Sequence, residues 1–171
     1  MIELGMAASA PLNAVEQLRN GLRRLGKAAA VVTCWHEGKR WAVSATAVSE
    51  LSMDPPLLLI CVDRSAGLCA PLVAGLNFCV NILRADQRSV SLACGGDAEG
   101  EARFSEGQWG SGACGSPYLR EAQANFFCEY ETHFDFGSHA VVIGAVREAD
   151  SWGEPDPLIY VDGDYAGVVR F

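Results

Sequence analysis

Residues 125–150, NFFCEYETHFDFGSHAVVIGAVREAD, read as two extended arms folded about one turn, DFGSH. Aromatic and β-branched residues dominate the arms, and the second is rich in Val and Ile. Other runs follow the same rule. AAAVVTCWHEGKRWAVSATAVSE (28–50) reads as a hairpin with HEGK as its turn. PLLLICVD (56–63) and LNFCVNIL (76–83) are short apolar runs closed by turn residues, hence buried strands. PLIYVDGDY (157–165) makes one last short strand. Six or seven strands joined mostly by turns leave no room for a doubly wound sheet. The fold class expected is mainly β, a small antiparallel barrel with a few peripheral helices.

The helical signals are short. NAVEQLRNGLRRLG (13–26) places Val15, Leu18, Leu22 and Leu25 on one face, with Asn13 as cap, Gly26 as stop, and Arg23 and Arg24 on the solvated side. GLCAPLVAG (67–75) and DQRSVSLACGG (86–96) predict two more helices, and GEARFSEG (100–107) is helical at its start. Residues 1–12 lack a period and read as a loose arm, leaving 13–171 as a single domain. The glycine-rich stretch 95–117 is the one long loop expected, and a loop of that length is functional or mobile.

Charge and cysteine content narrow the partners. The net charge of −8 repels nucleic acid and anionic lipid, and no basic cluster overrides it. No apolar run approaches the roughly 20 residues needed to span a bilayer. The first 17 residues show no secretory pattern. The seven cysteines lack metal-knuckle spacing and sit mostly in apolar runs, so they read as reduced, buried thiols in a cytoplasmic protein.

The ordinary catalytic motifs are missing. There is no G-x-S-x-G elbow, and GGDAEG lacks the lysine and hydroxyl of a P-loop. His36, His133 and His139 are too dispersed for a zinc site, although His133 and His139 could face each other across a turn. Asp162 and Asp164 belong to a turn-like VDGDY. No metal is expected.

What stands out is the hydroxyl content of RWAVSATAVSELSMDPP (40–56). On a strand, Ala42, Ser44, Thr46 and Val48 share one face, and Trp41, Val43, Ala45, Ala47 and Ser49 the other. The hydroxyls either face solvent on a half-wet strand or, with the turn amides of SELSMDPP and DRSAG and the charge of Arg64, hold an anion without a lysine.

The string WAVSATAVSELSMDPPLLLICVDRSAGL resembles the signature of the short-chain flavin reductases, whose fold is the FMN-binding split barrel. FCVNIL, GSPYLREAQANFFCEYE, GSHAVVIGAV and PLIYVDGDY resemble later family segments in the same order, so the likeness spans about residues 15–166. It implies NAD(P)H:flavin oxidoreductase activity, with hydride passing from NADH or NADPH to FMN or FAD. It also implies a homodimer that hands reduced flavin to a separate monooxygenase. By position, Ser44, Ala45, Thr46 and Ser49 would line the flavin, and Asp63, Arg64 and Ser65 would approach its phosphate. Asn81, Arg103, Phe104 and Tyr165 would lie beside it, and His139 would stand near the nicotinamide. The chain departs from the pattern at Ala66 and Leu68, where relatives carry hydroxyls, and at Ser138, where they carry aspartate. Two other readings share the hydroxyl strand: a non-catalytic flavin- or haem-binding split barrel, and a barrel with no cofactor.

Overall fold

The computed structural model describes residues 12–112 and 114–170. In chain order they form α1 (Leu12–Leu22), β1 (Lys27–Ala28), β2 (Ala30–His36), β3 (Lys39–Ala45), β4 (Val48–Met53), β5 (Pro56–Asp63), α2 (Cys69–Val73), β6 (Phe78–Ile82) and α3 (Arg88–Gly95). A 3-10 turn (Gly100–Phe104) follows. After it come β7 (Trp109–Ser111), β8 (Pro117–Leu119), β9 (Ala124–Phe136), β10 (His139–Ser151), β11 (Ile159–Val161) and β12 (Asp164–Ala166).

Seven strands make one antiparallel sheet in the order β3-β2-β6-β9-β10-β5-β4. Its two edges, β3 and β4, are consecutive in the chain. Thr46 and Ala47 turn the corner between them, and the Cys61 amide donates to the Ala47 carbonyl at 2.9 Å. Side chains from β3, β4, β5, β6, β9 and β10 meet in one core around Ile60, Leu72, Phe78 and Val142. The sheet therefore curls on itself, and among the described residues no ladder joins β3 to β4. This seam is the split of the barrel.

Strand β2 explains why its sequence does not alternate. Ala30, Val32 and Cys34 face the barrel core. Val31 faces a second core with Ala42, Leu83, Val90, Cys94, Phe104 and Leu119, formed where α3 and the 3-10 turn cover the outside of β2 and β3. A strand buried on both faces reads as a continuous apolar run. Five cysteines, Cys34, Cys69, Cys79, Cys94 and Cys128, are buried, and burial pushes the thiols of Cys34, Cys94 and Cys128 up to about 12. No described helix is long and apolar enough to cross a membrane.

Several expectations are corrected. The arm expected over 1–12 lies outside the described residues except for Leu12, which opens α1. Asn13 is therefore inside the first turn, not the cap, and the helix ends at Leu22, before Gly26. Its apolar face is not packed on the core, since Leu18 is 62% exposed. The strand expected to run through Thr46 and Val48 ends at Ala45, and after the Thr46–Ala47 corner a separate strand, β4, begins at Val48. The ending PLIYVDGDY is a hairpin, not one strand, turned by Asp162 and Gly163 at positive φ. The glycine-rich 95–117 stretch contains the 3-10 turn and β7, and runs into β8 at Pro117.

Candidate functional site

The corner at Thr46 is where several cavities of this chain meet. Thr46 lines three of them. One, of about 330 Å³, is bounded by Ser44, Ala45, Ser91, Gly95, Gly96, Tyr160 and Tyr165. The second, of about 970 Å³, is bounded by Ser49, Met53, Leu57, Leu59 and Cys61. The third, of about 450 Å³, lies between the apolar face of α1 and Tyr160–Gly163. A fourth cavity, of about 680 Å³, continues along β3 in the other direction. Lys39–Val43, the Ser65–Leu68 turn and Arg103 bound it. An edge strand thus runs past two cavities in line. Edge strands leave backbone N–H and C=O groups free on one side, so β3 can offer hydrogen bonds to a flat polar ligand.

The alternation on β3 holds. Trp41, Val43 and Ala45 pack against the barrel core. Ser44 points the other way, toward α3, so its hydroxyl is not simply solvated. Ser44 Oγ lies 2.8 Å from Ser91 Oγ, and the Tyr165 hydroxyl donates to Ser91 Oγ at 2.9 Å. Gly95 makes room for this approach, since a Cβ there would come within 3.0 Å of Ser44 Cβ. Arg103 fixes the same helix end by donating to the Cys94, Ala42 and Gly96 carbonyls. The Trp41 indole N–H is buried without a partner among the described residues, beside the Ser65 turn.

The remaining expected residues fall into three groups. Asp63, Arg64 and Ser65 form the turn after β5, but most of their polarity is spent internally. The Ser65 amide and hydroxyl both donate to Asp63 Oδ1, at 2.8 and 2.7 Å. These bonds, and then the nearby His139, hold the Asp63 carboxyl below the usual carboxylate range. Arg64 is half exposed and stands 3.9 Å from Asp135, free to swing to an anion. His139 lies opposite Asp63 on β10, with its Nδ1 2.8 Å from the Ser138 hydroxyl. The serine that stands in place of the family pattern's aspartate contacts the ring. His139 is exposed and is not among the residues lining these cavities. His133 does not face it, because its Nδ1 meets the Tyr130 hydroxyl at 2.8 Å.

Two residues are removed from the site. Asn81 is fully buried. Its side chain donates to the Val31 carbonyl at 2.8 Å and accepts from the Leu119 amide at 2.7 Å and from Asn125 Nδ2 at 2.8 Å. A side chain so enclosed cannot reach a ligand. Phe104 is buried in the outer core, edge-on to Trp109 and under the Arg40 guanidinium. Ser91 is the residue that sequence reasoning missed. Its signal was a hydroxyl one helical turn from Cys94 and Gly95, on the buried side of α3.

Residues 22–168 match the family described as the flavin reductase like domain. The NADH-dependent FMN reductase RutF of Variovorax paradoxus is 34% identical over 147 residues, which cover 86% of this chain and 82% of that protein. The reductase component of the FADH(2)-dependent resorcinol hydroxylase of a Rhizobium species is 32% identical over 163 residues, 94% of this chain and 91% of that one. Among solved structures, BorF, the flavin reductase component of a bacterial two-component tryptophan halogenase, superposes with a TM-score of 0.83 at 29% identity, covering 92% of this chain and 99% of the other. The Streptomyces globisporus NADH:FAD oxidoreductase SgcE6, in complex with NAD and FAD fragments, superposes with a TM-score of 0.84 at 25% identity over 96% and 97% of the two chains.

Proposed function

The chain belongs to the flavin reductase family, and on that premise we propose that it is an NADH:flavin oxidoreductase releasing reduced FMN or FAD for a separate oxygenase. The observation that carries this reading is the groove along β3, where an edge strand, a two-glycine helix end and the Ser44 hydroxyl face cavities wide enough for a planar ring system. The residues present fit a flavin. The Trp41 indole N–H has no partner among the described residues, the Ser44 hydroxyl lines the cavity, and Arg64, more than half exposed, supplies a cation beside the Ser65 turn for a phosphate. Bound flavin supplies the hydride chemistry itself, which is why the chain shows no triad. Ser44, Ala45 and Thr46 orient the ligand against β3, while Ser49 lies on the far side of the Thr46 corner. Tyr165 acts on the pocket wall, and Arg103 holds the helix end that forms it. The Ser65 turn has its own donors committed to Asp63, so anion binding there rests mainly on Arg64.

A homodimer completes this reading. The exposed face of α1 (Val15, Leu18, Leu22), Leu25 and Met53, which is 84% exposed, surround the Thr46 corner with apolar surface. A second copy seated there would exclude water from the site and bring further groups to it. Sedimentation at micromolar concentration is expected to give twice the chain mass, and Met53→Glu with Leu18→Glu to give one. A monomer for the unaltered chain would overturn the dimer.

The assay that tests the activity follows NADH absorbance as FMN or FAD is added. Oxidation is expected only with flavin present, and more slowly with NADPH. Quenching of flavin fluorescence without NADH oxidation would favour a non-catalytic binder. In the same assay His139→Ala is expected to lower turnover roughly tenfold, the worth of one well-placed hydrogen bond, with the KM for flavin little changed. Equal loss of turnover and flavin affinity would make His139 structural.

A further inference from the structure

The three hydroxyls at the back of the groove have a direction. Tyr165 donates to Ser91. Ser91 is 2% exposed, and the only other partner of its hydroxyl among the described residues is Ser44. If Ser44 donated to Ser91 as well, the Ser91 hydrogen would be left buried with no acceptor. A buried orphan donor costs more than a hydrogen bond returns. Ser91 therefore donates to Ser44, and the Ser44 hydrogen is released toward the cavity that both serines line.

Resting on the flavin reading above, we propose that Ser91 and Tyr165 are positioning residues that present Ser44 as a hydrogen-bond donor to an acceptor atom on the ring of the bound flavin. The chain begins on the β11–β12 hairpin, passes through α3 and ends on β3. Three segments distant in sequence thereby set one proton at the groove. Neither end works alone. Without Ser91 the Ser44 hydroxyl rotates freely, and without Tyr165 the direction of the Ser91–Ser44 pair is no longer imposed.

Fluorescence quenching of FMN measures the effect directly. Ser44→Ala and Ser91→Ala are each expected to weaken FMN binding about fivefold to tenfold, the range of one net hydrogen bond. The double variant should be no weaker than Ser44→Ala, because Ser91 acts through Ser44. The KM for FMN should rise by the same factor while turnover at saturating FMN stays within about twofold, and Ser91→Thr should restore binding. Tyr165→Phe, on a surface hairpin, tests the same chain without touching α3 and should weaken binding about twofold to threefold. Multiplying losses in the double variant would overturn the inference, as would a Ser91→Ala protein that binds FMN like the unaltered chain. If the unaltered chain binds neither FMN nor FAD, the flavin reading falls first, a result distinct from both.

Discussion

Asn81→Ala is expected to destabilise the protein by about 4 kcal/mol, the sum of a small buried cavity and two or three orphaned polar groups. It should lower the melting temperature by roughly 10 °C for a domain of this size. The Asn81 amide ties four segments together. It reaches the Val31 carbonyl on β2, the Leu119 amide on β8 and the Asn125 amide on β9 from its own place on β6. Asn125 in turn donates to the Leu119 carbonyl at 3.2 Å, and the Thr33 hydroxyl donates to Pro117. These bonds pin the β7–β8 hairpin to the barrel. Removing the centre leaves the Leu119 N–H buried without an acceptor, and partly satisfied buried networks are costly. Calorimetry checks the magnitude. The assay on the folded fraction at low temperature checks the assignment, because turnover and the KM for FMN should both be unchanged. A raised KM would return Asn81 to the cofactor site, and a loss below about 1 kcal/mol would show that the network carries little.

Asn81 also shows where legibility in the sequence ended. Strands β5 and β6 were readable as short apolar runs closed by turn residues, β5 occupying the stretch PLLLICVD from end to end, and β9 and β10 as two aromatic and β-branched arms about one turn. Strand β4 was not, because its mostly exposed run SELS carries no apolar period. The β7–β8 hairpin was invisible for a different reason. Its three-residue strands are held by Asn81, Thr33 and Asn125, up to 84 residues away in sequence, and no local pattern encodes such bonds. The site divides in the same way. Ser44 was legible as a hydroxyl on a strand, whereas Thr46, read on the same strand, stands at the corner after it. The internal use of Ser65 by Asp63 was not legible, nor was the link from Ser44 through Ser91 to Tyr165, because pairing across 47 and 74 residues depends on the tertiary fold. A resemblance gives positions but not directions, so it placed the buried Asn81 and Phe104 beside a ligand that neither can touch.

Gly144 presents the converse case, a pattern residue whose reason is packing alone. Gly144→Ala is expected to cost about 3 kcal/mol, at the upper end for overpacking a close-packed core, and Gly144→Val more. A Cβ at this position would stand 2.5 Å from Phe78 Cζ, 2.8 Å from Phe78 Cε1 and 2.9 Å from Cys128 Cβ. Phe78 is fully buried in the barrel core, where close packing resists a turn of the ring. Cys128 Cβ is fixed by its backbone and cannot swing aside. The β10–β9 ladder also shifts register between Ile143 and Gly144, at the residue on which the ring packs. If ring and glycine are fitted to each other, shortening the ring should help. Phe78→Leu alone is destabilising, but Gly144→Ala/Phe78→Leu should be at least about 1 kcal/mol more stable than the two separate losses predict. Relief is incomplete because the Cys128 contact remains. Urea unfolding of the four proteins measures the coupling. Strict additivity would mean that the clash with Phe78 is absorbed elsewhere and that the glycine of GSHAVVIGAV has some other origin. Favourable coupling would make Gly144 a seat for Phe78.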